Sequence, residues 1–299
     1  MLTLVPHHSA DLWVAGSVPN SVDTGLTGSV RYAVGEAVGP LKTANLTFGN
    51  HVVTDQVFME VVPAEGGGTT PTGRGILGLG PTRGSFVTAP NGSSMLYRLF
   101  SAGIPHYFTL LLDRIFDPTQ GYHGTITIGE LVPGYEPVLD EPHLPLVESR
   151  ADQHHQIHLD NDGLIGPDGL PIPITSAVAN SSRPVVVLDS GFSLPQVPKS
   201  VADAIYGRFP GAEFVTIDRN VGATYILPCT TEVNVTFIFG GKRFVIHPLD
   251  MTMHPSVLGI GSVKNSKGET ACIATFQPFT YSRGKNPNYD MVLGMAFRE

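Results

Sequence analysis

Hydrophobic and polar positions along the chain alternate with a period of two in several short segments. Residues 30–34, 52–62, 107–112, 125–128 and 233–239 carry this alternation with many β-branched side chains, and they are predicted to be strands. Two segments break the pattern. Residues 94–100 read as a helix that ends at Ala102-Gly103, and residues 198–209 as a second, with Pro198 at its start and Pro210-Gly211 after its end. Each helix lies downstream of an apolar run that closes on a glycine turn. This points to a coarse internal repeat: a first unit at 1–142, a connector at 143–153 and a second unit at 154–299. The connector region opens on the proline-rich acidic crossing Asp140-Glu141-Pro142-His143-Leu144-Pro145. The expected fold is all-β and bilobal, with a few short helices and a cleft at the seam.

Composition narrows the picture. Hydrophobic residues make up 41% of the 299 positions and charged residues only 15%, enough apolar material for a sizeable core and against whole-chain disorder. The 34 glycines and 25 prolines are spread along the chain, as expected for many turns between short strands. The net charge of -8, with no clustered Lys or Arg, argues against nucleic acid as a partner. No apolar run reaches the length of a membrane span, so a membrane partner is not expected. Sequons at Asn45, Asn91, Asn180 and Asn234 lean towards an exported glycoprotein. Residues 1–6 lack the features of a signal peptide, which suggests that the true N-terminus precedes them. Cys229 and Cys272 are the only cysteines; they cannot form a zinc site alone, and a disulfide or two free thiols both fit.

The sharpest chemical feature is the run Val185-Val186-Val187-Leu188-Asp189-Ser190-Gly191. A buried apolar strand ends in one carboxylate, which is costly to bury unless hydrogen-bonded. The small residues after it allow a tight turn whose backbone amides can reach that carboxylate. An Asp that merely opens a turn is the plainer reading.

Further segments add to this one. Ser9-Ala10-Asp11-Leu12-Trp13-Val14, Val30-Arg31-Tyr32-Ala33-Val34-Gly35, Gly75-Ile76-Leu77-Gly78-Leu79-Gly80 and Val292-Leu293-Gly294 occur in the order found in pepsin-like aspartic peptidases, and the chain resembles that family, its secreted fungal members most closely. The resemblance implies an endopeptidase acting on extended polypeptide, a monomer, secreted or vacuolar, with neither cofactor nor metal. It makes Asp189 a catalytic carboxylate supported by Ser190 and Gly191, Tyr32 the flap tyrosine over Trp13 and Ser9, and Gly78 and Gly294 the partners of the two active-site loops. Cys229 and Cys272 fall where a second-lobe disulfide is usual. Family chemistry would rest on two carboxylates sharing one proton, with water held between them.

The chain departs from the family pattern, first of all where the first acid should stand. Counting back from Trp13 puts the first Asp-Thr-Gly at positions 6 to 8, where Pro6-His7-His8 stands. Proline neither ionises nor donates. Phe192 replaces a hydroxyl residue that normally bonds a catalytic carboxylate, and Met295 replaces a usual Asp. The chain as written is therefore expected to be inactive, either as an incompletely assembled peptidase sequence or as a relative that binds peptide or protein without cleaving it. The literal Asp23-Thr24-Gly25 follows Trp13 instead of preceding it and reads as a surface turn.

Other constellations carry less. His154-His155-Gln156-Ile157-His158 would put His154, Gln156 and His158 on one strand face, too few ligands for zinc by themselves. Gly66-Gly67-Gly68 lacks the Lys and the helix of a phosphate loop, and Ser190 and Ser193 lack a nucleophile elbow.

Overall fold

The alternating segments form strands that pair into sheets on either side of residue 142. The structure is a computed structural model that describes residues 5–7, 9–32, 36–61, 75–85, 87, 94–112, 124–147, 154–192, 194–218, 221–294 and 297. The Gly66–Gly68 loop, Ser193, Met295, His8, the sequon at Asn91 and connector residues 148–153 fall outside them.

The first sheet is built from Val5–His7 (β1), Trp13–Ala15 (β2), Val22–Arg31 (β3), Glu36–Phe48 (β4), His51–Val61 (β5) and Gly75–Gly78 (β6). Its spatial order is β1-β6-β2-β5-β4-β3. β6 lies between β1 and β2 and is buried along its whole length, which explains a strand made of Gly and aliphatic residues without polar alternation. β3 and β4 form the hairpin that carries Tyr32, closing at Arg31 opposite Glu36. Met95–Ser101 (α1) follows, with Ser94 as N-cap accepting from Tyr97 N at 3.3 Å. Its buried Met95, Leu96 and Leu99 pack on Leu12, Val14, Leu77 and Leu79, joined by Ile128 of the two-stranded pair Phe108–Leu111 (β7) and Thr125–Ile128 (β8).

The second half holds His155–His158 (β9), Leu164–Ile165 (β10), Val185–Leu188 (β11), Gln196–Val197 (β12), Lys199–Tyr206 (α2), Glu213–Thr216 (β13), Ala223–Leu227 (β14), Val235–Phe239 (β15), Lys242–Ile246 (β16), Pro248–Met251 (α3), Thr252–Met253 (β17), Val263–Lys264 (β18), Thr270–Ala274 (β19), Gln277–Pro278 (β20) and Met291–Leu293 (β21). Three sheets result: β20-β12-β21-β11-β9, β10-β15-β16, and β13-β14-β19-β17 with β18 on β19. Their shared core centres on Tyr206, Phe237 and Phe276. The Tyr206 hydroxyl donates to Met251 O at 2.9 Å and accepts from Phe276 N at 3.2 Å, so its burial is hydrogen-bonded. Cys229 and Cys272 form a disulfide that ties β19 to the loop after β14.

The internal repeat is visible in the ladders. β6 sits between β1 and β2, parallel to the first and antiparallel to the second, and β21 sits in the same way between β11 and β12. β2 also pairs parallel with β5, as β12 does with β20. Trp13 faces Ile76 and Met59, and Gln196 faces Val292 and Gln277, so Gly78 and Gly294 hold equivalent stations.

Two expectations are corrected. Asp23-Thr24-Gly25 is not a turn between elements but a bulge inside β3, where the register shifts between Asp23 and Leu26. Gly25 takes φ 74°, and its N–H bonds the Asp23 carboxylate at 2.8 Å, features that a bulge and a turn have in common. Helix also extends beyond the two expected segments, in α3 and in short 3-10 turns such as Glu136–Asp140.

Candidate active site

Asp189 is set by β11. The all-apolar strand is covered on both edges, by β21 in parallel and β9 in antiparallel, and Asp189 N continues the parallel ladder to Leu293 O at 3.1 Å. The next residues turn, so the Asp189 carboxylate folds back and accepts from Gly191 N at 2.8 Å. Asp189 is fully buried and Ser190 nearly so. The turn is pressed against β21: a Cβ on Gly294 would lie 2.2 Å from Phe192 O, so a larger residue there would displace the loop that carries the acid. The loop at Ser9–Asp11 repeats the device, since a Cβ on Gly78 would lie 2.5 Å from Asp11 N.

On the other wall, Trp13 Nε1 donates to the Tyr32 hydroxyl at 3.0 Å, and buried Ser9 also bonds to Tyr32. Burial pushes the Tyr32 phenol well above its usual range, and the negative charges of Asp11 and Asp189 push it the same way. Its hydroxyl therefore stays protonated at any physiological pH. Asp189, from the second half, thus lies near enough for its charge to reach Tyr32, from the first. A second crossing is the His155 ring, whose Nε2 lies 3.1 Å from Leu79 O. A carbonyl only accepts, so that nitrogen carries the hydrogen.

Ser9 and Trp13 thus meet at Tyr32, and Asp189, Ser190 and Gly191 follow β11 with Gly294 packed against their turn. Asp23 does not join them; it lies exposed in the hairpin. Positions 6 and 7 supply no acid. Counting in sequence pairs Asp189 with Pro6. The ladder gives a different counterpart: Leu188 faces Leu293, which brings Asp189 to Gly294, whereas His7 faces Gly78. By either criterion the counterpart of Asp189 carries no carboxylate.

Three neighbours were missed in the sequence. Asp11 is a buried carboxylate that accepts from Ser85 Oγ at 2.5 Å and Val87 N at 3.1 Å. An acid between Ala10 and Leu12 was the available signal. Tyr281 packs its ring 6.2 Å from Phe192 and bonds Tyr289 through their hydroxyls at 2.9 Å; burial raises its phenol, the Tyr289 bond adds to the shift, and Asp189 contributes. His154 Nε2 lies 3.6 Å from Asp189 Oδ2. The reason is register: His155 faces Leu188 in the antiparallel β9–β11 pair, so His154 and Asp189 are the next residues along. His154 lies just before β9, which begins at His155. Among the described residues, no group of three His, Cys, Asp or Glu side chains could hold a metal ion.

These features agree with what is similar to the chain. The family model described as "Eukaryotic aspartyl protease" matches residues 15–298, and the chain belongs to that family. The match begins just after Trp13. "Major aspartyl peptidase 1" of Cryptococcus neoformans var. grubii is 26% identical over 286 residues, covering 84% of this chain and 55% of that protein. The chain thus spans about half the length of that curated relative. The crystal structure of the aspartic proteinase from Irpex lacteus superposes with a TM-score of 0.69 at 18% identity, over 99% of this chain and 84% of the other, and shows the shared bilobal fold.

Proposed function

We propose that the protein is a pepsin-like endopeptidase fold that takes an extended polypeptide between its two lobes, and that Asp189 is one of the two carboxylates such an enzyme needs. The observation that carries the reading is the convergence of Asp189 with Tyr32 and Trp13. It supports a groove floored by a buried acid and roofed by the β3–β4 hairpin. In that arrangement the hairpin covers the peptide and excludes bulk water. Asp189, held by the Gly191 amide, orients a water through its second oxygen. Gly78 and Gly294 let backbone approach where a side chain would intrude.

Hydrolysis in this family type needs a second acid that shares a proton with the first, so that one carboxyl acts as base and the other as acid. Pro6 and His7 supply none. This favours a second reading for the 299-residue chain: it holds peptide without turning it over. The proposed setting is outside the cell or in a vacuole, as a monomer, with the exposed sequon residues Asn45, Asn180 and Asn234 available for glycosylation. Incubating the protein with denatured casein at acid pH, with and without pepstatin, tests the pair of readings. Pepstatin-sensitive cleavage would establish full endopeptidase action, and binding without new N-termini would establish the second reading.

A further inference from the structure

His154 introduces into this neighbourhood a basic group that the two-carboxylate scheme does not contain. Its Nε2 stands 3.6 Å from Asp189 Oδ2; the imidazole keeps 19% of its side-chain surface exposed while the carboxylate keeps none. The Asp189 Oδ1 atom is bonded to the Gly191 amide, so the two carboxylate oxygens have different duties. A fully buried carboxylate needs compensating positive charge or several donors to remain ionised. Here an imidazole, positive only when protonated, faces it.

We propose that His154 is the positioning residue for Asp189: as an imidazolium it faces Oδ2 and supplies the proton that the second acid would hold in a two-carboxylate site. The proposal rests on the reading of Asp189 as the functional carboxylate. Its consequence is a change of charge at this site. Protonation of His154 sets a positive charge against Oδ2, and loss of that proton removes it. The other ionisable groups around the pair, among the described residues, come from three directions. Tyr281 from the segment after β20 and Tyr32 from the hairpin both stay protonated. Asp11 acts on Tyr32 from the first loop, and His155 turns its Nε2 to the Leu79 carbonyl.

The test is a pH titration of the histidine ring protons by NMR, with the His154 signal identified as the one lost in His154→Gln. In Asp189→Asn the His154 midpoint is expected to fall by about one pH unit or more, a tenfold change in proton affinity. An unchanged midpoint in a folded Asp189→Asn protein overturns the proposal. Should that variant not fold, the emission of Trp13 read against pH serves instead. It is expected to titrate with the His154 midpoint in the unsubstituted protein and to lose that step in His154→Gln; a step that survives His154→Gln overturns the proposal. Neither measurement uses a peptide. Coupling found without peptide binding would uphold the His154–Asp189 pairing and remove the functional reading it rests on, whereas peptide binding without coupling would overturn the pairing alone.

Discussion

Trp13 Nε1 lies 3.0 Å from the Tyr32 hydroxyl, and Trp13 is the chain's one tryptophan. Tryptophan emission therefore reports directly on the contact between the first loop and the hairpin. Tyr32→Phe leaves a buried indole N–H without this acceptor, at a cost of about 1–3 kcal/mol. Urea unfolding followed by emission should show that loss together with a shift of the native spectrum to shorter wavelength. Unchanged stability and spectrum would mean that the hairpin does not rest on Trp13.

The two loop glycines make a paired prediction. An alanine Cβ at Gly294 or Gly78 would approach backbone atoms to 2.2 Å or 2.5 Å, and backbone cannot move aside as a flexible side chain can. Each substitution should destabilise by about 1–3 kcal/mol by overcrowding. Gly259→Ala makes a poor control because of its φ of 68°; Gly261→Ala, with open space around it, should be nearly silent. Thermal melts of the three variants decide.

Much of this arrangement was legible because its signals are local. The run from Val185 to Gly191 contains its own explanation: an apolar strand, one acid, then a turn that returns an amide to it. The glycines at 78 and 294 and the order of the surrounding motifs were legible through resemblance. Asp23-Thr24-Gly25 was misread because an Asp-to-amide bond and a positive-φ glycine serve a turn and a bulge equally. His154 could not be placed beside Asp189 without the pairing of β9 with β11, since a register slip of one residue would have aimed a different histidine at the acid. Tyr281 reaches the site only through the fold of the segment between β20 and β21.

Glu60 makes stability depend on pH. Its carboxylate bonds Lys42 Nζ at 2.6 Å and accepts from Val18 N at 3.1 Å, and the Lys42 bond, more than the backbone one, holds it below the usual carboxylate range. A lowered folded value means that the stabilisation is present above the unfolded carboxyl's ordinary value of 4.5 and is lost as pH falls through the folded value. Glu60→Gln should therefore lower Tm at neutral pH, with the difference from the unsubstituted protein closing in acid. A difference that is constant across pH would show that Glu60 acts by packing alone.

The disulfide closes a stretch with a sequence separation of 43. Loop entropy puts its contribution at about 4 kcal/mol. Cys229→Ser with Cys272→Ser should lose up to that amount in denaturant unfolding, and reductant should lower the stability of the unsubstituted chain similarly. No response to reductant would place the stability of the second lobe in its Phe237 core alone.

The central claim is that Asp189 floors the groove that takes an extended polypeptide. Trp13 emission, recorded while an extended peptide is titrated in at acid pH, tests it directly. The account predicts a saturable emission change that weakens in Asp189→Asn. No saturable change, or binding unaltered in Asp189→Asn, would contradict it.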